Sequence, residues 1–262
     1  MSEIKLTDPT ELLKSAGYSD VPTVLLPYQQ AWIADKSQLK IAEKSRRIGL
    51  TWAEAADAVL DAASEGGQNC YYLGYNKDMT VEFIQACAMW AKAFDAAAGE
   101  IQEGLWEDGD KHIQTYIIRF PKSGKRIEAL TSRPSNMRGR QGRVIMDEFA
   151  FHDNQVELLK AAIALLIWGG RISIISSHNG KNNPFNQFVN DIEKGVFGED
   201  AKVLVVTFDD AVENGLYERV CFMQSKKATL EGKQKWYSKI RKAYGSRVSA
   251  MREELDAIPR DG

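Results

Sequence analysis

One stretch, Leu39 to Ala56, reads LKIAEKSRRIGLTWAEAA and constrains the fold more than any other. Its apolar opening suits a buried strand, the polar turn KSRRIGLT carries a glycine, and an alanine-rich helical run follows. Strand, glycine turn and helix in that order form a phosphate cradle. Backbone N–H groups of the turn and of the first helical turn converge on the anion, and the helix dipole adds positive potential there. The usual cradle reads G-x-x-x-x-G-K-[ST], and this chain departs from it. Gly49 and Thr51 hold the positions of the second glycine and the hydroxyl, but Leu50 stands at the lysine position and Lys44 where the first glycine belongs. A leucine cannot neutralise phosphate charge, so the cation has to come from Lys44, Arg46 or Arg47. Taken alone, the stretch reads as a basic surface turn before an amphipathic helix.

A second motif changes the balance. From Arg143 the chain reads RVIMDEFAF, an apolar strand that ends in Asp147 and Glu148. A nucleotide hydrolase needs this arrangement beside its phosphate loop. The first carboxylate holds, through water, the Mg²⁺ that Thr51 ligates directly, and the second polarises the attacking water. A strand running into an acidic turn is common by itself. The order of the two motifs and the domain-like separation between them point to a P-loop ATPase.

Together KSRRIGLT, MRGRQGRVIMDEFAF and SIISSHNG resemble the ATPase domain of large terminase subunits, the motors that pack DNA into tailed-phage capsids, in their Mu-like branch. The resemblance runs from about Leu25 to Pro259 and is most specific from the Arg-Gly to DEFAF. It implies an α/β P-loop NTPase of the ASCE type, a mostly parallel sheet flanked by helices. It also implies a displaced lysine at Lys44, with Lys44, Ser45, Gly49, Leu50 and Thr51 around the phosphates of ATP. Tyr28 and Gln29 match an adenine-recognition element, the ring stacking on the base and the amide reading its edge. Without the resemblance, those two residues read as the start of an amphipathic helix capped by Pro27, with Tyr28 and Trp32 in the core. Arg138, in the Arg-Gly, matches an arginine that reaches a neighbouring subunit's nucleotide. Such a finger is worth about 10³ to 10⁵ in turnover. Arg46 or Arg47 could serve in cis instead, and the sequence leaves that choice open. Ser176, Ser177 and Asn179 match the strand end that senses the γ-phosphate; the family's pattern differs at His178.

Composition fits this class. The chain has 262 residues, 44% hydrophobic and 27% charged, enough to bury a sizeable core. A formal net charge of −2 excludes a protein that coats DNA over its whole surface, though not local DNA contacts. Cys70, Cys87 and Cys221 have no metal-ligand spacing and suit reduced thiols. The longest apolar run, LLKAAIALLIW, is too short to span a bilayer. The expected location is the host cytoplasm, at the procapsid portal.

Along the chain, residues 1–24 read as a lead-in, 25–210 as the ATPase core and 211–262 as a helical lid or linker. QNCYYLGYN reads as a strand, Asp78 to Ala98 as a helix, and HIQTYIIRF with KRIEALTS as a hairpin or two edge strands. The loop SRPSNMRGRQGR carries four arginines, of which Arg133 and Arg143 are expected in solvent. A helix capped by Asp153 or Asn154 comes next, then the strand RISIISSHNG, a short helix capped near Asn183 and a last strand KVLVVTFDDAV. Asp209-Asp210 at its end is read as a turn or cap, not a nuclease metal site. The Lys-rich segment after Tyr217 is read as a solvated face, or as a lid that closes on the nucleotide or touches DNA. Family members continue past EELDAIPRDG into an RNase H-type nuclease. The sequence is therefore expected to be an excised ATPase segment or one whose nuclease is separate, without DNA cleavage of its own.

The functional expectation is an ATP-hydrolysing DNA-packaging motor using Mg²⁺. Its expected partners are double-stranded DNA, a portal protein, a small terminase subunit, a nuclease domain or subunit, and further copies in a ring on the capsid, with a monomer in isolation. The alternatives are a non-hydrolysing nucleotide-binding assembly module and a helicase-like DNA translocase.

Overall fold

The computed structural model describes residues 24–94, 101–108 and 111–261. The expected lead-in thus lies almost wholly outside the described residues. A short helix α1 (Pro27–Ala34) comes first, with Pro27 in its first turn, where no N–H is needed. The cradle stretch then folds as β1 (Leu39–Lys44), a turn, and α2 (Leu50–Ala63). β2 (Cys70–Leu73) leads to α3 (Lys77–Ala93), whose N-cap Asn76 accepts from Met79 N at 3.0 Å. β3 (Ile101–Asp108), β4 (Lys111–Phe120) and β5 (Lys125–Leu130) form an antiparallel meander. The sequence reading found the β4–β5 hairpin and missed β3.

β6 (Arg143–Asp147), α4 (Gln155–Ile163), β7 (Arg171–Ser176), α5 (Pro184–Glu193) and β8 (Ala201–Val206) complete the sheet region. Asn154 occupies the N-cap of α4 without a side-chain cap bond, whereas Asn183 caps α5 by accepting from Phe185 N at 3.0 Å. Four helices follow: α6 (Phe208–Glu213), α7 (Leu216–Met223), α8 (Leu230–Lys242) and α9 (Val248–Asp256). The strand order is β3-β4-β5-β2-β6-β7-β1-β8, parallel from β5 through β8. β1 and β6, which carry the two motifs, each pair with β7. Their C-terminal ends open at the same edge, where ligands of open α/β sheets collect.

Alternation along the strands divides the core. Leu39, Ile41, Val144 and Met146 pack on the α4–α5 side, while Tyr72 and Ile145 pack with α2 and α3. Fully buried alanines at 53, 55, 56, 58 and 62 let α2 lie close to the sheet and to α3. The third cluster joins Tyr28, Trp32, Ile48 and Leu50 to Val206, Phe208, Leu216 and Leu255, fastening the C-terminal helices beside the cradle.

Arg143 overturns the solvent expectation. It is 1% exposed, and its Nη2 donates to Glu54 Oε1 at 2.7 Å and to Asp57 Oδ2 at 2.6 Å. Position 143 has the parity of Ile145, so its side chain enters the α2 side of the sheet, where the two carboxylates wait. Lys40 joins them, 3.7 Å from Asp57 Oδ2, with Nζ also donating to Trp32 O at 2.8 Å. Burial disfavours the Arg143 guanidinium, but Glu54 and Asp57 more than offset it and hold its proton above the usual range. Gly142 makes the entry possible: its φ is 133°, and a Cβ there would fall 2.2 Å from Asn69 O. The rest of the arginine loop is also fastened. Arg140 forks onto Glu128 at 2.6 and 3.0 Å and lies over the Tyr71 ring, and Arg133 is half-buried.

Candidate active site

A cavity of about 570 Å³ opens at the C-terminal ends of β1, β2 and β6. Lys44, Arg46, Arg47, Gly49, Leu50 and Thr51 line one side, Asp147 and Glu148 the floor, and Trp52, Tyr75, Met79 and Phe83 an apolar arm. Two side-chain contacts close the distance between the motifs. Lys44 Nζ lies 2.6 Å from Glu148 Oε1, and Thr51 Oγ1 donates to Asp147 Oδ2 at 2.8 Å.

The cradle's backbone is set by Gly49, with φ 74°, which a side chain would strain and where a Cβ would meet Gln29 Nε2 at 3.0 Å. Arg47 also lies in the left-handed region, at φ 59°. Arg47 is exposed and faces the cavity. Arg46 lies at its edge, its Nη1 3.2 Å from Glu254 Oε2 on α9 and its N–H donating to Glu254 O at 3.1 Å. Leu50 is 1% exposed in the third core cluster, so it offers the site backbone and not charge. Ser45 is buried, and its N–H is spent on Val206 O at 2.8 Å.

Asp147 is wholly buried. It accepts from Thr51, from Tyr72 Oη at 2.9 Å and from Glu148 N at 2.9 Å. Burial first, and then the adjacent Glu148 charge, push its carboxyl up to about 6; Lys44, Thr51 and Tyr72 pull the other way. The Tyr72 phenol is pushed well above its usual range by burial and by Asp147. Glu148 has φ 49° and ψ 45°, a left-handed conformation that costs a non-glycine residue about 1–2 kcal/mol. That strain sits at the carboxylate facing Lys44, where strain of this kind tends to gather.

Hydroxyl and carboxylate oxygens such as those of Thr51 and Asp147 are hard donors that suit Mg²⁺. Three cations and the start of the 14-residue helix α2 suit a polyphosphate.

The remaining expected residues divide. Tyr28 is 6% exposed, its ring is in the core and its hydroxyl donates to Ile48 O at 2.5 Å; it does not line the cavity. Gln29 Nε2 donates to Gly49 O at 2.8 Å, and its Oε1 accepts from Leu26 N at 2.8 Å. Both residues hold carbonyls of the turn between β1 and α2, and Tyr28 and Trp32 lie in the core. Ser177 Oγ lies 3.5 Å from Glu148 Oε2. Ser176 instead binds Ala150 N and Ser177 O, and Asn179 Nδ2 is 3.4 Å from Ala150 O. His178 is buried against Phe185, with Nε2 3.5 Å from Glu43 Oε2. Arg138 is exposed and outside the cavity. Asp210 closes a capping box with Thr207, and Asp209 holds Arg241 at 2.7 Å, so the pair acts as cap and ion-pair partner.

Sequence reasoning missed Tyr72 and Glu254. Tyr72 had a partial signal, being next to the last residue of an aromatic-rich strand, though only the structure shows that this strand pairs with β6. Glu254 had none, because its partner Arg46 lies more than two hundred residues away.

Comparison with known proteins agrees with this geometry. Residues 41–253 match the family described as terminase large subunit, T4likevirus-type, N-terminal. The chain is 49% identical over 244 residues to the Mu-like prophage FluMu protein gp28 of Haemophilus influenzae, covering 92% of this chain and 47% of that protein. It is 46% identical over 243 residues to the probable terminase large subunit gp28 of Escherichia phage Mu, covering 90% and 44%. The chain thus spans about half the length of these relatives. The ATPase domain of a Thermus phage large terminase superposes with a TM-score of 0.58 at 16% identity, covering 98% of this chain and 100% of that one. A large terminase from a thermophilic bacteriophage, solved in complex with ATP-gamma-S, gives 0.53 at 15% identity, covering 78% and 50%. At such identities the likeness concerns the fold alone. The family match over residues 41–253 shows that the chain belongs to the terminase large subunits of the T4likevirus type, as part of their N-terminal region.

Proposed function

We propose that this chain is the ATP-hydrolysing motor segment of a phage large terminase, driving double-stranded DNA into the procapsid. The observation that carries the reading is the paired contact Lys44–Glu148 and Thr51–Asp147, which brings a cation, a hydroxyl and two carboxylates to one cavity floor. Lys44 and Arg47, with the backbone at Gly49 and Leu50, bind the phosphates. Arg46 assists once it leaves Glu254. Thr51 and Asp147 hold Mg²⁺, which when bound spreads the phosphate charge. Glu148 accepts the proton of the attacking water, and its contact with Lys44 keeps it aimed at the phosphate end of the cavity. Ser177 reports on Glu148 from the end of β7, while Ser176 and Asn179 hold that reporter in place.

Tyr28 and Gln29 serve the nucleotide indirectly, by fixing the carbonyls of Ile48 and Gly49. Arg138, exposed and away from its own cavity, acts on a neighbour's nucleotide in a ring of copies. The segment 211–262 acts as lid and linker through the Arg46–Glu254 contact. The other partners proposed are the portal protein, the small terminase subunit and a nuclease domain or subunit, with the procapsid portal in the host cytoplasm as the place of action. No helix among the described residues is long and apolar enough to cross a membrane.

The test is ATP turnover against protein concentration, with Lys44→Ala as control. Turnover per chain that rises with concentration and vanishes in the variant supports the motor with a neighbour's arginine. ATP binding without turnover at any concentration contradicts it and favours the assembly module.

A further inference from the structure

We propose that His152 is a positioning residue that ties the arginine-bearing loop, residues 131–142, to the peptide unit carrying Glu148. The proposal rests on the ATPase reading above. His152 is buried, and its two ring nitrogens reach two different elements. Nε2 lies 2.8 Å from the carbonyl oxygen of Asp147, and Nδ1 makes a short contact with the Ser132 hydroxyl. A carbonyl only accepts, so Nε2 carries the proton; Nδ1 is then the acceptor and Ser132 the donor. The chain Ser132 to His152 to Asp147 carbonyl is thereby directional.

The bond lands beside a residue with left-handed backbone. The Asp147 carbonyl belongs to the peptide that precedes Glu148, whose φ is 49°. Pinning that peptide plane fixes the direction in which the Glu148 side chain leaves the strand, toward Lys44. The far side of the same turn is held separately, by Ser176 on Ala150 N and by Asn183 on Ala150 O at 2.9 Å. His152 supplies the near side. Ser132, its other partner, lies two residues before the short turn Pro134–Met137 that precedes Arg138, so a change at the carboxylates is felt in the loop that presents Arg138. His152 meets Asp147 at the backbone carbonyl and not at the carboxylate, and it acts through Glu148.

The test compares His152→Gln, His152→Asn, His152→Ala and Ser132→Ala in steady-state ATP turnover on the whole chain. A glutamine amide reaches where Nε2 was and still donates to Asp147 O; an asparagine amide reaches only where Nδ1 was. The expected result is that His152→Ala lowers kcat about 10- to 100-fold with KM for ATP little changed. His152→Gln recovers most of this and His152→Asn does not. Ser132→Ala shows a smaller loss that disappears in the His152→Ala background. Equal turnover in all three His152 variants, losses that follow melting temperature, or fully additive losses overturn the proposal. ¹⁵N NMR of the imidazoles, three in this chain, gives an answer that needs no turnover. Protonation at Nε2 of His152 is expected, and protonation at Nδ1 overturns the proposal. If the parent chain shows no turnover, the ATPase reading falls while the tautomer still decides the tie.

Discussion

Lys44 Nζ and Glu148 Oε1 meet at 2.6 Å although 104 positions separate them in the chain. The pairing answers the question posed by Leu50. On the function proposed above, the cation missing from the usual lysine position is supplied from the end of β1, and it points at the carboxylate assigned to water activation. Lys44→Ala is expected to lose nucleotide affinity and turnover together, because it removes charge that both ground and transition states use. Isothermal titration with a slowly hydrolysed ATP analogue, beside steady-state kinetics, checks this. Unchanged affinity would contradict it.

Putting a lysine back at position 50 is expected to harm the protein. Leu50 is packed among Tyr28, Ile48 and Leu255, and an ammonium there is buried without a carboxylate partner. Leu50→Lys should lower the melting temperature and fail to rescue Lys44→Ala. Rescue of turnover by the double variant would show that the side chain reaches the phosphates.

The Tyr28 hydroxyl braces Ile48 O, so Tyr28→Phe should weaken ATP binding modestly, by about 1 kcal/mol or less. GTP should be affected to the same extent, because the ring does not face the cavity. A change in the ATP-to-GTP preference, measured by competition binding, would return Tyr28 to base recognition.

Arg143 holds two buried carboxylates, and removing it leaves Glu54 and Asp57 with Lys40 as their remaining buried cation. Arg143→Met should cost about 3–5 kcal/mol in chemical denaturation. The same cluster sets an acid limb. Burial alone would raise the Asp57 carboxyl, but Arg143, Lys40 and Lys36 outweigh it and hold it below its ordinary 3.8. A depressed folded value means that this contribution is complete above the unfolded pKa and is lost as pH falls through the folded one. The stability difference between the parent and Asp57→Asn should therefore be constant near neutrality and shrink below about pH 4. A difference that grows on acidification would contradict the sign.

Arg138 offers a mixing test. Arg138→Ala keeps an intact cavity and lacks the exposed arginine; Glu148→Gln keeps the arginine and lacks the base. If the arginine acts on a neighbour, mixing the two inactive variants should restore part of the turnover. No recovery in a mixture shown to assemble would place the working arginine in cis.

Much of this was legible in the sequence because it is local. The cradle, the acidic strand end and the Asn183 cap each announce themselves within a few residues, and the strand–helix alternation along the chain announces a mostly parallel sheet. Parity along a strand could have been used further: position 143 shares a face with Ile145, which excludes solvent for Arg143, yet a loop full of arginines suggested otherwise. Tyr28 was ambiguous because an aromatic next to a glutamine serves a base or a core equally well, and its contact with Ile48 O depends on how a segment twenty residues on returns to it. Contacts such as Arg46–Glu254 and Ser132–His152 depend on how distant segments return to the sheet edge, which no local pattern encodes.

The central claim is that Glu148 activates water while Lys44, Thr51 and Asp147 bind the nucleotide and its metal. Measuring ATP affinity and turnover of Glu148→Gln in one preparation tests it most directly. The account predicts affinity close to the parent's and turnover lower by about 10²- to 10⁴-fold. Hydrolysis at the parent rate, or a loss of binding as large as the loss of turnover, would contradict it.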